Sequence, residues 1–239
     1  MAAMDIILPR VCIVCGRRLL TDEKHLCLEC LADMPMTRFW ERSHNPMADK
    51  FNEIIQEKSG YPERYAFVVA LIFYQNDADY RRIPYQIKYH GNLAAGRYFG
   101  QMLGRKLAES RFFGDVDVIV PVPLHWARRW KRGYNQAEVI ARGVADALGC
   151  EVETDVLRRS RRTVTQTKVS VEEKSQNVEG AFCLSDDAGS KLAGVRHALL
   201  IDDVFTTGST LSACFRTLRQ VLPVDVRISI ATLGFVGHL

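Results

Sequence analysis

Two adjacent carboxylates, Asp202 and Asp203, follow the apolar run Leu199-Leu200-Ile201, and a hydroxyl-rich turn, Thr206-Thr207-Gly208-Ser209-Thr210, follows them. The pattern predicts a buried strand that ends at the carboxylates, a tight turn, and a helix through Leu211, Phe215, Leu218 and Leu222. In an open α/β sheet, ligands bind beyond the carboxyl ends of the strands, where the amides of the next turn and helix point outward as anion donors. Thr206, Thr207, Gly208, Ser209 and Thr210 then suit a 5′-phosphate, with Gly208 allowing close backbone approach. Asp202 and Asp203 would accept from the two hydroxyls of a ribose or hold a hydrated magnesium ion. The same residues also read as plain strand-to-helix punctuation, with the hydroxyls serving as caps.

A second constellation lies near the amino terminus. Cys12-x-x-Cys15 and Cys27-x-x-Cys30 flank a polar turn containing Thr21-Asp22-Glu23-Lys24. Two such pairs can deliver four thiolates to one tetrahedral zinc ion, closed and structural. So short a segment has no core of its own, and metal binding would supply its folding free energy, on the order of 10 kcal/mol. A redox pair or a disulfide is the competing reading. His25 reads as an exposed turn residue. Cys150, Cys183 and Cys214 lack metal spacing and are expected in the core.

A third group is cationic. The run Leu124 to Tyr134, expected as a loop after the strand Val116 to Val122, carries Arg128, Arg129, Lys131, Arg132 and Gly133, a set suited to pyrophosphate or a DNA backbone. Trp126, Trp130 and Tyr134 are interleaved with these cations, and bases could stack on them. A long polar stretch with Arg161, Arg162, Lys168 and Lys174 reads as a basic lid or binding loop. Lys88, in a turn between two helices, is either solvated or a substrate contact.

The elements that must position these groups follow from periodicity. Tyr65 to Tyr74, Val116 to Val122, Glu151 to Leu157, Ala198 to Ile201 and Val224 to Phe235 read as strands. The helix Leu93 to Glu109 carries a stripe of Tyr98, Met102, Leu103 and Leu107, and Asn135 with Glu138 forms a capping-box-like start to a helix ending at Leu148. Near-continuous apolar strands alternating with helices give an α/β class: a mostly parallel sheet with helices on both faces, plus a small N-terminal four-cysteine zinc module. The expected division is a zinc-binding module over 1–35, a connector over 36–64 with a short helix around Phe51 to Lys58, and the main domain over 65–239.

The chain has 239 residues, 47% hydrophobic and 25% charged, with a net charge of +4. That balance permits a nucleic-acid partner without requiring one. No transmembrane segment is expected, since the longest apolar run is too short to span a bilayer. Asp5 interrupts the short amino-terminal apolar run, so no signal peptide is read and a cytoplasmic location is expected.

The stretch Leu199 to Thr210 resembles the binding signature of the type I phosphoribosyltransferases, whose shared substrate is phosphoribosyl pyrophosphate (PRPP). Across nearly the whole chain the sequence resembles the ComF family. The resemblance rests on the double Cys-x-x-Cys, Ile87-Lys88-Tyr89, Val120 to Pro123, Arg132 to Ala137, Arg162-Thr163 with Gln166, Asn177 to Phe182, and Leu199 to Thr210. It implies a type I phosphoribosyltransferase-like domain behind a zinc element. It also implies a role in natural competence, handling imported single-stranded DNA beside a helicase partner. A magnesium-PRPP pocket kept in that role is one expectation; active phosphoribosyl transfer to a nucleobase or other small acceptor is the alternative. Lys174 stands where arginine is expected, which keeps the charge but loses bidentate phosphate geometry.

Overall fold

The computed structural model describes residues 10–59, 62–74, 79–159 and 180–237. Five strands form one parallel sheet: β1 (Val68–Phe73), β2 (Val118–Pro121), β3 (Glu151–Val152), β6 (His197–Phe205) and β7 (Arg227–Phe235), in the order β1-β7-β6-β2-β3. A separate antiparallel ribbon pairs β4 (Leu157–Arg159) with β5 (Phe182–Leu184). The expected single strand from Glu151 to Leu157 is thus split between two sheets. Only Glu151 and Val152 pair with β2, and the chain then turns into the ribbon.

β1 and β2 are buried at every position and β6 and β7 nearly so, which requires cover on both faces. Two helix pairs provide it. Helix α4 (Leu93–Ala108) packs along α6 (Gln136–Leu148), and this pair contacts β2, β6 and β7. Helix α2 (Pro46–Ser59) packs on β1 and on α8 (Ser209–Leu218), with Phe51 set edge-on to Phe205 and Phe215. Two short helices stand apart from these pairs: α1 (Leu28–Ala32) follows the second cysteine pair's first member, and α7 (Ala188–Lys191) follows β5.

The buried face of α4 is Ala95, Gly96, Phe99, Gly100, Leu103, Gly104 and Leu107. It is rotated from the expected stripe, leaving Tyr98 and Met102 only partly covered. Close helix approach explains the rotation. A Cβ on Gly143 of α6 would collide with the Arg97 carbonyl, and one on Gly100 with the Ile140 carbonyl. The glycines let the two backbones touch, so they, rather than the larger residues, define the contact line.

The region 36–64 holds more structure than a short helix around Phe51. Helix α2 has 14 residues, and Phe39, Trp40, Met47, Phe51 and Ile55 belong to the same buried cluster as the sheet. Glu63, from the same region, forms a buried ion pair of 3.2 Å with Arg219 beyond α8. The amino-terminal element joins that cluster too, through Cys12, Val14, Leu19 and Leu26.

Candidate functional site

β6 continues past the point where the apolar run stops. Asp202 pairs in register with Thr232, and Val204 and Phe205 with Gly234 and Phe235. The carboxylates therefore lie within the strand rather than at its end, because β7 is long enough to keep pairing. Asp203 is buried, while its Oδ1 accepts from the Val204 amide at 2.9 Å. Its Oδ2 makes no hydrogen bond and lies 3.7 Å from Lys88 Nζ. Asp202 Oδ1 accepts from the Asp203 amide at 2.8 Å. Burial and the adjacent Asp203 carboxylate push Asp202 well above the usual carboxylate range, against the pull of that amide and of Lys88.

A cleft of about 250 Å³ opens over this pair. Its walls include Lys88 from α3 (Arg82–Tyr89), Arg128 and Arg132 from α5 (Trp126–Arg132), Arg159 at the end of β4, and Thr206 and Thr210. Asn135 and Gln136 at the start of α6 line it as well. Four cations surround two carboxylates, so a ligand that brings both hydroxyl donors and negative charge fits the wall.

The turn from Thr206 to Thr210 has the expected helix start. Gly208 takes φ +78° just before α8, and a Cβ there would come within 2.9 Å of the Phe205 ring and 3.1 Å of Ile54. Its glycine requirement thus comes from the left-handed backbone and the packing beneath the turn. Thr207 and Ser209 bond each other through their hydroxyls at 3.0 Å, leaving Thr206 and Thr210 to face the cleft. Lys50 of α2 donates to the Thr206 carbonyl at 3.3 Å, a contact that sequence spacing gave no hint of.

The cationic run is a helix and not a loop. The His125 ring accepts from the Ala127 amide at 3.2 Å as its cap, and Gly133 at φ +83° ends it with its amide on the Arg129 carbonyl. Helical spacing separates the cations. Arg128 and Arg132 line the Asp cleft, whereas Arg129 lines an adjoining one and is paired with Glu138 at 3.4 Å; Lys131 and Gly133 are exposed and line neither. Glu138 engages Arg129 and Arg142, so Asn135 caps α6 through Ala137 without the reciprocal half of a capping box. Trp126 and Trp130 are 71% and 88% exposed. Tyr134 instead donates its hydroxyl to the Ile87 carbonyl, fixing the end of α3 that carries Lys88.

Nothing in its sequence neighbourhood sets Arg159 apart, yet it lines both clefts. Burial and the neighbouring Arg128 hold its pKa below the ordinary arginine value, while Asp202 opposes them. The expected lid residues Arg161, Arg162, Lys168 and Lys174 lie outside the described residues.

At the amino terminus, the sulfurs of Cys12, Cys15, Cys27 and Cys30 all lie within 4.8 Å of one another. Zinc–sulfur bonds of about 2.3 Å in a tetrahedron place sulfurs about 3.8 Å apart, and Cys15 and Cys27 stand at 3.7 Å. All four cysteines are free, so no disulfide competes for them. Burial alone would raise the Cys12 thiol, but backbone hydrogen bonds from Cys15, Cys27 and Val14 bring it down to about 7. Burial and the neighbouring thiols push Cys30 up. Four free sulfurs gathered this closely fit a zinc ion, whose charge would favour the thiolate form at each of them.

Two expectations about single residues fail. His25 is half-buried against the Tyr98 ring at 5.1 Å, because the turn folds down onto α4. Cys183 is exposed, since its alternating position on β5 faces away from the core; Cys214 is buried as expected and Cys150 is partly covered.

No family model matches the chain. Competence protein F of Haemophilus influenzae is 33% identical over 112 residues, 47% of this chain and 48% of that protein. The chain therefore matches about half the length of that relative. DNA utilization protein YhgH of Escherichia coli K12 is 28% identical over 213 residues, 88% of this chain and 84% of its own length. Competence protein ComFC of Bacillus subtilis is 31% identical over 103 residues, 43% and 38% of the two chains. Among solved structures, the glutamine PRPP amidotransferase of B. subtilis overlaps 56% of this chain and 26% of its own, at 21% identity and a TM-score of 0.35. The chain is thus similar to competence and DNA utilization proteins, in line with the ComF resemblance of its motifs.

Proposed function

We propose that this chain is a competence-associated factor in DNA uptake that handles single-stranded DNA in the cytoplasm and keeps a pocket for PRPP or a related phosphoribosyl ligand. The names of the relatives, competence protein and DNA utilization protein, support the first half. The cleft carries the second half. It sets two strand-borne carboxylates opposite Lys88, Arg128, Arg132 and Arg159, with the Thr206 to Thr210 turn at one end.

In this reading Thr206, Thr210 and the amides opening α8 take the 5′-phosphate, and Asp202 and Asp203 take the ribose hydroxyls. Arg128 and Arg132 face the pyrophosphate. The Asp203 oxygen that lacks a hydrogen bond fits a magnesium ion carried in with the ligand, since magnesium binds through one or two carboxylates plus phosphates. When bound, that ion would neutralise phosphate charge. The four cysteines would hold a structural zinc in a module over 1–35, with 36–64 joining it to the phosphoribosyltransferase-like domain over 65–239. Trp126 and Trp130, exposed on the arginine-rich helix α5, support base stacking by single-stranded DNA. Among the described residues no helix is long and apolar enough to cross a membrane. A helicase partner follows from the family alone.

Calorimetric titration with magnesium-PRPP tests the pocket. Binding by the native protein that is lost in a folded Asp202→Asn, Asp203→Asn double variant supports it. A zinc-loaded, folded native protein that binds no PRPP overturns it and leaves DNA handling as the function.

A further inference from the structure

Helix α3 carries an aromatic face open to solvent. Among the described residues, every tyrosine or tryptophan more than half exposed lies on α3 or α5: Tyr85 at 51%, Tyr89 at 61%, and the two tryptophans. The Tyr85 ring stands 4.9 Å from Tyr89 and 5.3 Å from His90, and all three residues are exposed. None of them lines the Asp cleft or the one adjoining it.

Two cations border these rings. Lys88 Nζ lies 5.8 Å from the Tyr89 ring centre and the Arg132 guanidinium 5.9 Å from it, both within cation–π reach. The same two side chains line the Asp cleft, where Lys88 faces Asp203. The hydrogen bond from Tyr134 to the Ile87 carbonyl keeps the end of α3 against the end of α5. Exposed rings flanked by cations suit an anionic partner that carries flat groups of its own, and a single strand supplies both. An acidic protein surface supplies the charge without the flat groups.

We propose that Tyr85, Tyr89 and His90 form a stacking platform for single-stranded DNA on α3, and that strand and cleft ligand weaken each other's binding because both draw on Lys88 and Arg132. This rests on the reading of the chain as a strand-handling protein with a phosphoribosyl cleft. Phosphates held in the cleft neutralise the two cations, which then attract the strand's backbone less. Linkage makes the effect reciprocal: a bound strand lowers affinity for the cleft ligand by the same factor. Strand and sugar phosphate thus tend to alternate on the protein.

Fluorescence anisotropy of a labelled oligothymidylate on the zinc-loaded full chain tests both parts. Tyr85→Leu and Tyr89→Leu should each weaken strand binding about 5- to 150-fold with the salt slope unchanged. Tyr89→Phe, which keeps the ring, should bind as the native protein does. Saturating magnesium-PRPP at constant ionic strength should weaken native strand binding at least about fivefold. It should have no effect on the Asp202→Asn, Asp203→Asn variant, whose cleft lacks the carboxylates. Native strand binding that both leucine variants retain overturns the platform, leaves DNA handling on α5, and assigns the tyrosines to a protein partner. Strand affinity that is unchanged or raised by magnesium-PRPP, with calorimetry showing that ligand bound, overturns the antagonism. A folded native protein that binds no oligonucleotide removes the DNA reading, and one that binds no magnesium-PRPP removes the cleft reading. The inference falls with either, and the two assays tell which has failed.

Discussion

Lys88 Nζ lies 3.7 Å from Asp203 Oδ2 across the cleft, on a helix whose far end is tied to the cysteine module. Tyr80 donates to the Cys30 carbonyl at 2.8 Å and Arg82 to the Val14 carbonyl at 2.5 Å, just before and at the start of α3. Lys88 sits near the other end of that helix. The cysteine cluster and the Asp cleft are therefore joined by one rigid element of eight residues.

That connection predicts a consequence of metal loss. Freshly purified protein should contain about one zinc per chain by elemental analysis, and Cys27→Ser should contain little. Mild chelation should weaken magnesium-PRPP binding several-fold even though no cysteine lines the cleft, because α3 loses its anchor. Substoichiometric zinc in native protein, or unchanged ligand affinity in the apo form, would count against the coupling.

The carboxylate pair predicts a conflict between stability and binding. Without ligand, Asp202 is held beside another carboxylate with its ionised form disfavoured by burial. Asp202→Asn keeps the oxygen that accepts from the Asp203 amide and removes the repulsion. It should stabilise the empty protein at pH 7 by about 1 kcal/mol, seen as a rise of about 2–4 °C in Tm. The same change should abolish ligand binding. A lower Tm would show that the charge is compensated in the empty cleft.

Sequence showed the cysteine pairs, the Asp-Asp strand and the glycine turn because each depends on neighbours within a few positions. Other features depend on distant chain. The extension of β6 through Phe205 is set by β7. Arg159 looked like one arginine among many in a polar stretch; the β4–β5 ribbon brings it to both clefts. Lys88 was legible only as an alternative, since pairing with Asp203 joins residues far apart in sequence. The rotated face of α4 was hidden because glycine carries no hydrophobic signal.

Those glycines predict a sharp packing defect. An alanine at Gly143 would push its Cβ into the Arg97 carbonyl, and its near neighbours include the Gln101 amide at 2.9 Å. Backbone atoms cannot swing aside as a side-chain tip can. Gly143→Ala should cost about 1–3 kcal/mol by chemical denaturation, despite the higher helix propensity of alanine. Gly189→Ala, where a Cβ meets nothing within 4 Å, should be much milder.

The amino end of β6 predicts a pH dependence. His197 is buried, with Nδ1 2.7 Å from Asp115, Nε2 2.8 Å from the Ser229 hydroxyl, and Phe113 stacked nearby; Asp117 and Arg227 complete its charged surroundings. Burial lowers its pKa, and the hydrogen bond to Asp115 only partly opposes that. The unfolded chain, with an ordinary histidine pKa near 6.5, then binds more protons than the native one below that value. This contribution to stability is complete above about pH 6.5 and is lost as pH falls toward the depressed native value. Asp115 and Asp117, whose pKa values are lowered, lose their contributions in a separate window below about pH 4. Tm should fall between about pH 7 and pH 5 in the native protein, and the slope should be shallower in His197→Asn. Equal slopes would assign the acid sensitivity to other groups.

Single-stranded DNA binding should divide into two separable parts. Backbone contacts from cations release counterions, so affinity should fall steeply with salt, and each phosphate contact removed should lower the slope by somewhat less than one. Lys131→Ala, an exposed cation that lines neither cleft, should therefore flatten the salt dependence with little effect on magnesium-PRPP. Stacking carries no net charge. Trp130→Ala, at a ring 88% exposed, should weaken oligonucleotide binding about 5- to 150-fold and leave the salt slope unchanged. A fluorescence anisotropy series over salt reads both quantities from the same data. If Trp130→Ala changes the slope, the ring acts by placing the neighbouring cations. If neither variant alters affinity, the strand follows a different surface, and the exposed tryptophans need another partner.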